Sequence, residues 1–155
     1  MAGNKRVEYI KSRIRTVPDF PKKGIMFRDI TPLLQDPVAL GYVILEIKNY
    51  FKRKRIDVVV AAESRGFIFG SILAYELQSC FVPLRKPGKL PYKTIRQDFE
   101  TEYSTDAFEM HIDGIRKGQN VLIVDDLLAT GGTAAAAVDL VKKQKGKVAG
   151  LAFVI

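Results

Sequence analysis

Three short apolar runs rich in β-branched residues constrain the fold of this sequence more than any other feature. They lie at Ile56 to Ala62, Val121 to Val124 and Val148 to Ile155, and none of them alternates with polar residues. Such runs are typical of strands that are buried on both faces of a parallel sheet. Phe81 to Leu84 is predicted as a fourth strand.

Helical patterns lie between these runs. The first predicted helix carries an apolar face from Leu40 to Phe51, and the other two cover Phe67 to Leu77 and Ala134 to Lys145. Asp36 and Pro37 suit the cap and first turn of the first helix, and Gly146 suits the end of the third. Alternating strands and helices predict a single α/β domain with a mostly parallel central sheet flanked by helices. Such sheets bind ligands beyond the carboxyl ends of their strands.

The segment of residues 93–113 has a different pattern. Thr94 to Phe99 and Ala107 to Ile112 alternate in polarity, and a polar tip separates them. This pattern predicts a long β-hairpin beside the sheet, which we call the hood. A flexible hood is a candidate lid for a site at the sheet edge.

Composition excludes several classes of protein. Hydrophobic residues make up 47% of the 155 residues, which is enough for a packed core. Cys80 is the single cysteine, so no internal disulfide or cysteine metal cluster forms, and we expect it to be half-buried before a strand. A charged start and the lack of a long apolar run indicate a cytoplasmic protein without a membrane partner. The net charge of +8 fits either nucleic acid or a small polyanionic substrate.

The segment VLIVDDLLATGGT, Val121 to Thr133, contains the strongest functional signal. A buried strand ends in Asp125 and Asp126, and a helix begins after a turn of small residues. Small residues let backbone N–H groups approach an anion, and the helix start adds unpaired N–H groups and partial positive charge. The turn therefore suits a phosphate monoester. Its residues are Ala129, Thr130, Gly131, Gly132 and Thr133.

The two acids indicate what is attached to that phosphate. Carboxylates repel a phosphate but accept hydrogen bonds from vicinal hydroxyls. Asp125 and Asp126 therefore suit the diol of a ribose, and the segment is predicted to bind ribose 5-phosphate. It lacks the GK[ST] ending of a Walker A loop and the GxGxxG spacing of a dinucleotide fingerprint. The competing interpretation is an ordinary turn with two exposed acids.

Two further segments are candidate anion sites. The first follows a buried strand and opens a helix, where Arg65 could bind diphosphate oxygens in bidentate fashion. It consists of Glu63, Ser64, Arg65 and Gly66. The second places Arg85, Lys86 and Lys89 next to two prolines. The competing interpretations are a surface pair of Arg65 with Glu63 and a solvated basic loop.

Val121 to Thr133 resembles the phosphoribosyl diphosphate motif of type I phosphoribosyltransferases. The rest of the chain narrows the resemblance to the adenine phosphoribosyltransferase family, and it covers essentially the whole sequence. The other segments that carry it are PDFPKKGIMFRDITPLLQDP, AAESRGFIFG, RKPGKLPYKT and TEYS.

The resemblance implies a reaction and its participants. Adenine and phosphoribosyl diphosphate would give AMP and pyrophosphate in a homodimer, with no nucleic acid partner. Mg²⁺ would be held by the substrate and reach Asp125 or Asp126 through water, with no direct protein ligand. The loop at Glu63 to Gly66 would bind pyrophosphate, with a cis peptide at Glu63–Ser64. Arg85 and Lys89 would assist, and Arg65 would act in catalysis.

The resemblance also implies a base site and a proton acceptor. In residues 1–36, the backbone at Met26 and Arg28 would read the adenine edge, and Phe27 would stack on the ring opposite Leu127. Without the resemblance, Phe27 is a core residue. At the hood tip, Glu102 would accept the proton that adenine N9 loses, and Tyr103 would help to close the site. The competing interpretation of that pair is two polar residues on a mobile tip.

Two other functions and one structural question stay open from the sequence. A phosphoribosyltransferase for hypoxanthine or xanthine would share most of these residues. A non-enzymatic regulator that senses phosphoribosyl diphosphate and binds DNA would explain the charge, although no helix-turn-helix pattern precedes the core. The last apolar run is still in progress at Ile155, and similar enzymes extend further, so an incomplete C-terminus is also open.

Overall fold

The computed structural model describes residues 2–100 and 105–155, and the chain forms two compact units. The first unit is Met1–Tyr50 and the second is Phe51–Ile155. The single domain expected from the sequence stays a prediction. No described helix has the length and apolar character needed to cross a membrane.

The first unit combines helices with a short hairpin. Its elements are α1 (Ala2–Ser12), β1 (Arg15–Pro18), β2 (Met26–Asp29), α2 (Thr31–Leu34) and α3 (Pro37–Phe51). β1 and β2 pair in antiparallel fashion, with Pro18 opposite Met26. The Asp36 carboxylate accepts hydrogen bonds from the backbone N–H groups of Val38 and Ala39 at 2.9 and 3.1 Å. The predicted cap of α3 is therefore confirmed.

The second unit contains the predicted parallel sheet. Its elements are β3 (Val58–Ala62), α4 (Gly66–Glu76), β4 (Cys80–Leu84), β5 (Thr94–Glu100), β6 (Thr105–His111), β7 (Asn120–Asp125), α5 (Gly132–Lys143) and β8 (Lys147–Phe153). The sheet order is β4-β3-β7-β8, and every neighbouring pair in it is parallel. Val58 pairs with both Cys80 and Val121, so β3, β4 and β7 end at the same edge. This register brings the segments after β3 and β7 together.

Apolar side chains from the sheet, α5 and the hood form the core of the second unit. The fully buried members include Val58, Val60, Val121, Met110, Leu140 and Val141. Burial of each such side chain contributes about 1.5–3 kcal/mol.

The hood is an antiparallel hairpin of β5 and β6, as predicted. Its stem belongs to the core, because Phe108 is 3% exposed and Met110 is fully buried. The ring centroids of Phe99 and Phe108 lie 4.9 Å apart. The stem is therefore fixed by its packing, and residues 101–104 between its strands lie outside the described residues.

Two local predictions need correction. Cys80 is exposed and opens β4, instead of lying half-buried before it. α5 begins at Gly132, two residues earlier than predicted, and the left-handed residue after it is Lys145 with φ of 60°, not Gly146. Gly146 donates a hydrogen bond to the carbonyl of Val141 at 3.0 Å. A Cβ on residue 146 would lie 3.0 Å from side-chain carbons of Ile115 and Val141, so close packing requires the glycine.

Candidate active site

The two predicted acids lie at the carboxyl end of β7. The backbone N–H of Asp126 donates to the carboxylate of Asp125 at 2.9 Å. The carbonyl of Asp126 accepts hydrogen bonds from the N–H groups of Val154 and Ile155 at 3.1 and 3.0 Å, and Leu128 N–H donates to the Ile155 carbonyl at 3.0 Å. The segment that follows β7 is thus anchored to the residues that follow β8.

Asp126 forms an ion pair with Arg65. Nε of Arg65 lies 2.7 Å from Oδ2 of Asp126, and the two side chains are 38% and 8% exposed. Within the described part of the chain, Oδ2 of Asp126 nevertheless accepts no well-aligned hydrogen bond. The two atoms are close enough for a hydrogen bond but are not aligned for one, so the contact is an ionic attraction. The structure joins the first anion loop to the acid pair.

Asp125 has an unusual ionisation. Burial, together with the negative charge of Asp126, raises the pKa of Asp125 to about 7, although the hydrogen bond from Asp126 N–H and the charge of Arg65 oppose this rise. A carboxyl group that changes charge near neutral pH is a common feature of functional sites. The pKa of Asp125 therefore lies close to neutral pH.

The turn before α5 presents open hydrogen-bond donors. Gly131 has φ of +89°. No described residue accepts a hydrogen bond from the N–H groups of Gly131, Gly132 or Thr133. A Cβ on residue 132 would lie 2.6 Å from the carbonyl oxygen of Glu100, so only glycine fits against the hood. Free N–H groups at a helix start suit an anion such as phosphate.

The loop after β3 lies against the acid pair. A Cβ on Gly66 would lie 2.8 Å from Oδ1 of Asp125, so glycine at this position allows α4 to start beside the end of β7. The peptide bond Glu63–Ser64 is cis, as the resemblance implied. Ser64 is exposed, and Arg65, which pairs with Asp126, is half-buried.

Glu63 contacts the second basic segment. Its Oε2 accepts hydrogen bonds from Nε and Nη2 of Arg85 at 3.1 and 3.0 Å, and its Oε1 accepts one from Lys86 N–H at 2.7 Å. Arg85 also donates through Nη1 to the carbonyl of Lys89 at 3.2 Å. The two predicted anion loops therefore form one connected structure.

The hood stem holds this basic loop, and the sequence analysis missed the residues responsible. Nζ of Lys86 lies 2.6 Å from Oδ2 of Asp106, and Gly88 N–H donates to Oε2 of Glu109 at 3.0 Å. The backbones of Arg85 and Glu109 also exchange hydrogen bonds at 3.0 and 2.7 Å. The sequence hinted at these contacts only through the presence of two acidic residues, Asp106 and Glu109, in β6.

The predicted base-binding residues of the first unit lie on β2. Met26 is 58% exposed, and Phe27 is half-buried in edge contact with Phe20, the ring centroids being 5.1 Å apart. Nη1 of Arg28 donates to Oγ1 of Thr16. Phe27 is therefore part of an aromatic pair that the sequence analysis did not identify, and Phe20 is its missed member.

The remaining predicted residues have separate outcomes. Leu127 is half-buried in the second unit, directly after Asp126. Ala129 and Thr130 are exposed in the turn before α5. Glu102 and Tyr103 lie outside the described residues.

Comparison with known proteins places this geometry in a family. The phosphoribosyl transferase domain matches residues 40–155. The adenine phosphoribosyltransferase of Prosthecochloris aestuarii is 56% identical over 148 residues, which cover 94% of this chain and 84% of that protein.

Solved structures agree. The adenine phosphoribosyltransferase of Rhodothermus marinus superposes with a TM-score of 0.92 at 51% identity, covering 97% of this chain and 85% of that one. The Saccharomyces cerevisiae enzyme, solved with adenine and an imino-altritol bisphosphate, gives a TM-score of 0.92 at 39% identity, covering 97% and 88%. The chain therefore belongs to the adenine phosphoribosyltransferase family.

Proposed function

We propose that this chain transfers the 5-phosphoribosyl group from phosphoribosyl diphosphate to adenine, giving AMP and pyrophosphate in purine salvage. One observation carries the proposal: an acid pair, a cation and the open start of a helix lie together at one sheet edge. They are Asp125, Asp126, Arg65 and the N–H groups before α5. The adenine bound in the S. cerevisiae enzyme supports the choice of base.

The sugar phosphate would be held at the end of β7. Asp125 and Asp126 would accept hydrogen bonds from the two ribose hydroxyls. The 5-phosphate would bind at Ala129 to Thr133, where the backbone N–H groups are open and two threonine hydroxyls are available. This division keeps the anionic phosphate away from the carboxylates, because like charges repel.

The diphosphate would leave toward the two candidate anion loops, which lie at Glu63 to Gly66 and Arg85 to Lys89. As the bond from C1 to the diphosphate oxygen breaks, the bond from adenine N9 to C1 forms, and C1 carries positive character in between. Arg65, Arg85 and Lys89 would stabilise the departing anion, with Ser64 and the N–H groups at Gly66. Positioning the base near C1 supplies the rest of the acceleration.

The adenine base and its N9 proton would be bound by residues outside the acid pair and the two candidate anion loops. Adenine would be read by the backbone at Met26 and Arg28 and enclosed by Phe27 and Leu127. The N9 proton would pass to Glu102, and Tyr103 would help to exclude water from the activated sugar. The relatedness of the chain to adenine-specific enzymes supports these roles.

Mg²⁺ fits the site as a substrate-bound ion. Within the described residues no cluster of three or more His, Cys, Asp or Glu could hold a metal. The Asp125 and Asp126 carboxylates are suitable oxygen partners through water, and the ion needs further oxygens from the substrate. When bound, it would neutralise charge on the diphosphate.

A cytoplasmic homodimer in which residues 1–155 act as one domain completes the proposal. Residues 1–36 would serve the base, and residues 93–113 would form the hood. Sedimentation equilibrium with and without phosphoribosyl diphosphate tests the homodimer, and a single monomeric species in both would contradict it.

The experiment that tests the function is a coupled assay of AMP formation. We expect AMP from adenine, and at most a small rate with hypoxanthine or xanthine in parallel reactions. The control is the double variant Asp125→Asn, Asp126→Asn, which should fold but lose phosphoribosyl diphosphate binding. Normal AMP formation by that variant would overturn the role of the acids. Absence of AMP, together with salt-dependent DNA binding, would favour the regulator.

A further inference from the structure

We propose that Glu63 is a positioning residue that fixes Arg85 for the diphosphate and does not touch the diphosphate itself. The inference rests on the proposed function and goes further by separating two residues of one loop. Arg65 would meet the ligand directly, whereas Glu63 would act through a second loop.

Donors from the second candidate anion loop occupy both carboxylate oxygens of Glu63. Oε2 accepts from Nε and Nη2 of Arg85 at 3.1 and 3.0 Å, and Oε1 accepts from Lys86 N–H at 2.7 Å. The Glu63 side chain is 12% exposed. Both oxygens thus have protein donors, and a carboxylate that faced a diphosphate would repel it.

The charge on Glu63 persists at neutral pH. Burial acts to raise the pKa of Glu63, but the hydrogen bonds from Lys86 N–H and Arg85, with the nearby charge of Lys89, outweigh it and lower the pKa. The carboxylate is therefore ionised when Arg85 is in place. A charge-assisted pair of this kind restricts the guanidinium more than a neutral contact would.

Arg85 keeps donors for a ligand while it is held. Two of its N–H bonds go to Glu63, and a third goes to the Lys89 carbonyl at 3.2 Å. An arginine has five N–H groups, so two have no acceptor among the described residues and remain for diphosphate oxygens. A cation already oriented by the protein loses less entropy on binding than a free one.

Main-chain hydrogen bonds also hold the two loops, in addition to the bond from Lys86 N–H to the Glu63 side chain, which a glutamine oxygen could still accept. Glu63 N–H bonds to the Leu84 carbonyl at 3.0 Å, and Arg85 and Glu109 exchange backbone hydrogen bonds. These main-chain contacts survive a change of side chain. Removal of the charge should therefore leave the loops folded and loosen only the guanidinium.

The test uses Glu63→Gln, which keeps the shape and an acceptor oxygen but removes the charge. Steady-state kinetics in both directions should show the KM for phosphoribosyl diphosphate and for pyrophosphate raised about tenfold, the effect of about 1.4 kcal/mol. The KM for adenine and the affinity for AMP alone should stay within about twofold, because neither uses the diphosphate loops. A lower KM for pyrophosphate in Glu63→Gln would overturn the proposal, since it would mean that the Glu63 carboxylate faces the ligand and repels it.

A double-mutant cycle with Arg85→Ala tests whether Glu63 acts through Arg85. In the Arg85→Ala background, Glu63→Gln should change the KM for pyrophosphate by less than about twofold, because strongly coupled residues are not additive. Fully additive effects would overturn the proposal. The matched control is Asp106→Asn, which removes the Lys86 contact in the same loop and should leave the KM for pyrophosphate nearly unchanged.

The proposal and the function it rests on fail differently. If the wild-type chain formed no AMP, the proposed function would be wrong. Calorimetric binding of pyrophosphate to the wild type, Glu63→Gln and Arg85→Ala would still decide the role of Glu63. Equal pyrophosphate affinity in all three would overturn that role.

Discussion

Nε of Arg65 lies 2.7 Å from Oδ2 of Asp126, so a cation assigned to the diphosphate and an acid assigned to the ribose neutralise each other without substrate. Asp126 is 6% exposed and would be costly to bury alone. The pair lets the protein fold with a carboxylate at the sheet edge. In the proposed function, the ribose hydroxyls would replace Arg65 as the partner of Asp126, and phosphoryl oxygens would replace Asp126 as the partner of Arg65.

Loss of Arg65 should therefore destabilise the protein. We expect Arg65→Met to lower the free energy of unfolding by about 1–3 kcal/mol, because Asp126 loses its counter-charge. The effect falls below that of a fully buried pair, since the Arg65 side chain is 38% exposed and water screens it. Urea denaturation at pH 8 measures it. The variant Arg65→Met, Asp126→Asn should recover most of the loss, and an unchanged single variant would argue against the pair.

Asp125→Asn should stabilise the unliganded protein at alkaline pH. The pKa of Asp125 is raised to about 7, so the folded state disfavours the ionised carboxyl. The loss of folding free energy caused by ionising Asp125 is absent below the pKa that Asp125 has in the unfolded chain. It grows as the pH rises toward 7 and is constant above that. We expect the variant to gain up to about 4 kcal/mol over the wild type at pH 8 and much less at pH 5. Denaturant melts at both pH values check this, and an equal difference at both would contradict the raised pKa.

Ligand binding should be linked to the same proton. A ribose diol that binds the ionised form of Asp125 drives the carboxyl to release its proton near neutral pH. Calorimetry of AMP binding at pH 7, in buffers of different ionisation enthalpy, should therefore show proton release. The AMP phosphate also titrates nearby, so Asp125→Asn is the control that isolates the carboxyl. Identical proton release in both proteins would exclude Asp125 as its source.

Gly132→Ala should impair phosphate binding. The added Cβ would lie 2.6 Å from the carbonyl oxygen of Glu100, so either the hood or the start of α5 must shift. We expect a loss of AMP affinity of about tenfold or more, with destabilisation of about 1–3 kcal/mol. The matched substitution is Gly41→Ala in α3, where nothing lies within 4 Å. That change should stabilise by up to about 1 kcal/mol and leave AMP binding unaltered. Equal AMP affinity in the two variants would contradict the role of Gly132.

The strands were predictable because burial on both faces leaves a direct trace in the sequence. Val58 to Ala62 is buried throughout, and nothing but apolar residues occupies it. The end of α5 was less predictable. Gly146 suggests a left-handed residue, but Lys145 adopts that conformation, whereas Gly146 lies close to Ile115 and Val141. Ile115 is far from Gly146 in the sequence, so a local rule had no access to this contact.

The candidate active site also combines features that the sequence predicted with contacts that it did not reveal. The small residues before α5 and the acids at the end of β7 predict an anion-binding turn from the sequence, because backbone access and charge are local properties. The partners of the charged side chains were not visible there. In the sequence, 21 residues lie between Glu63 and Arg85, and 60 lie between Arg65 and Asp126. The register of β3 with β4 and β7 therefore decides which of these side chains come into contact.

Residue type and spacing by themselves determined the α/β class, the buried strands, the hairpin and the turn of small residues before α5, since each follows from the preferences of a few neighbouring residues. Only the tertiary structure decided that Glu63 contacts Arg85, that Arg65 contacts Asp126, and that the pKa of Asp125 is raised. The physical reason is that ionisation and pairing depend on burial and on charges brought together across strands. Those quantities exist only once the sheet has formed.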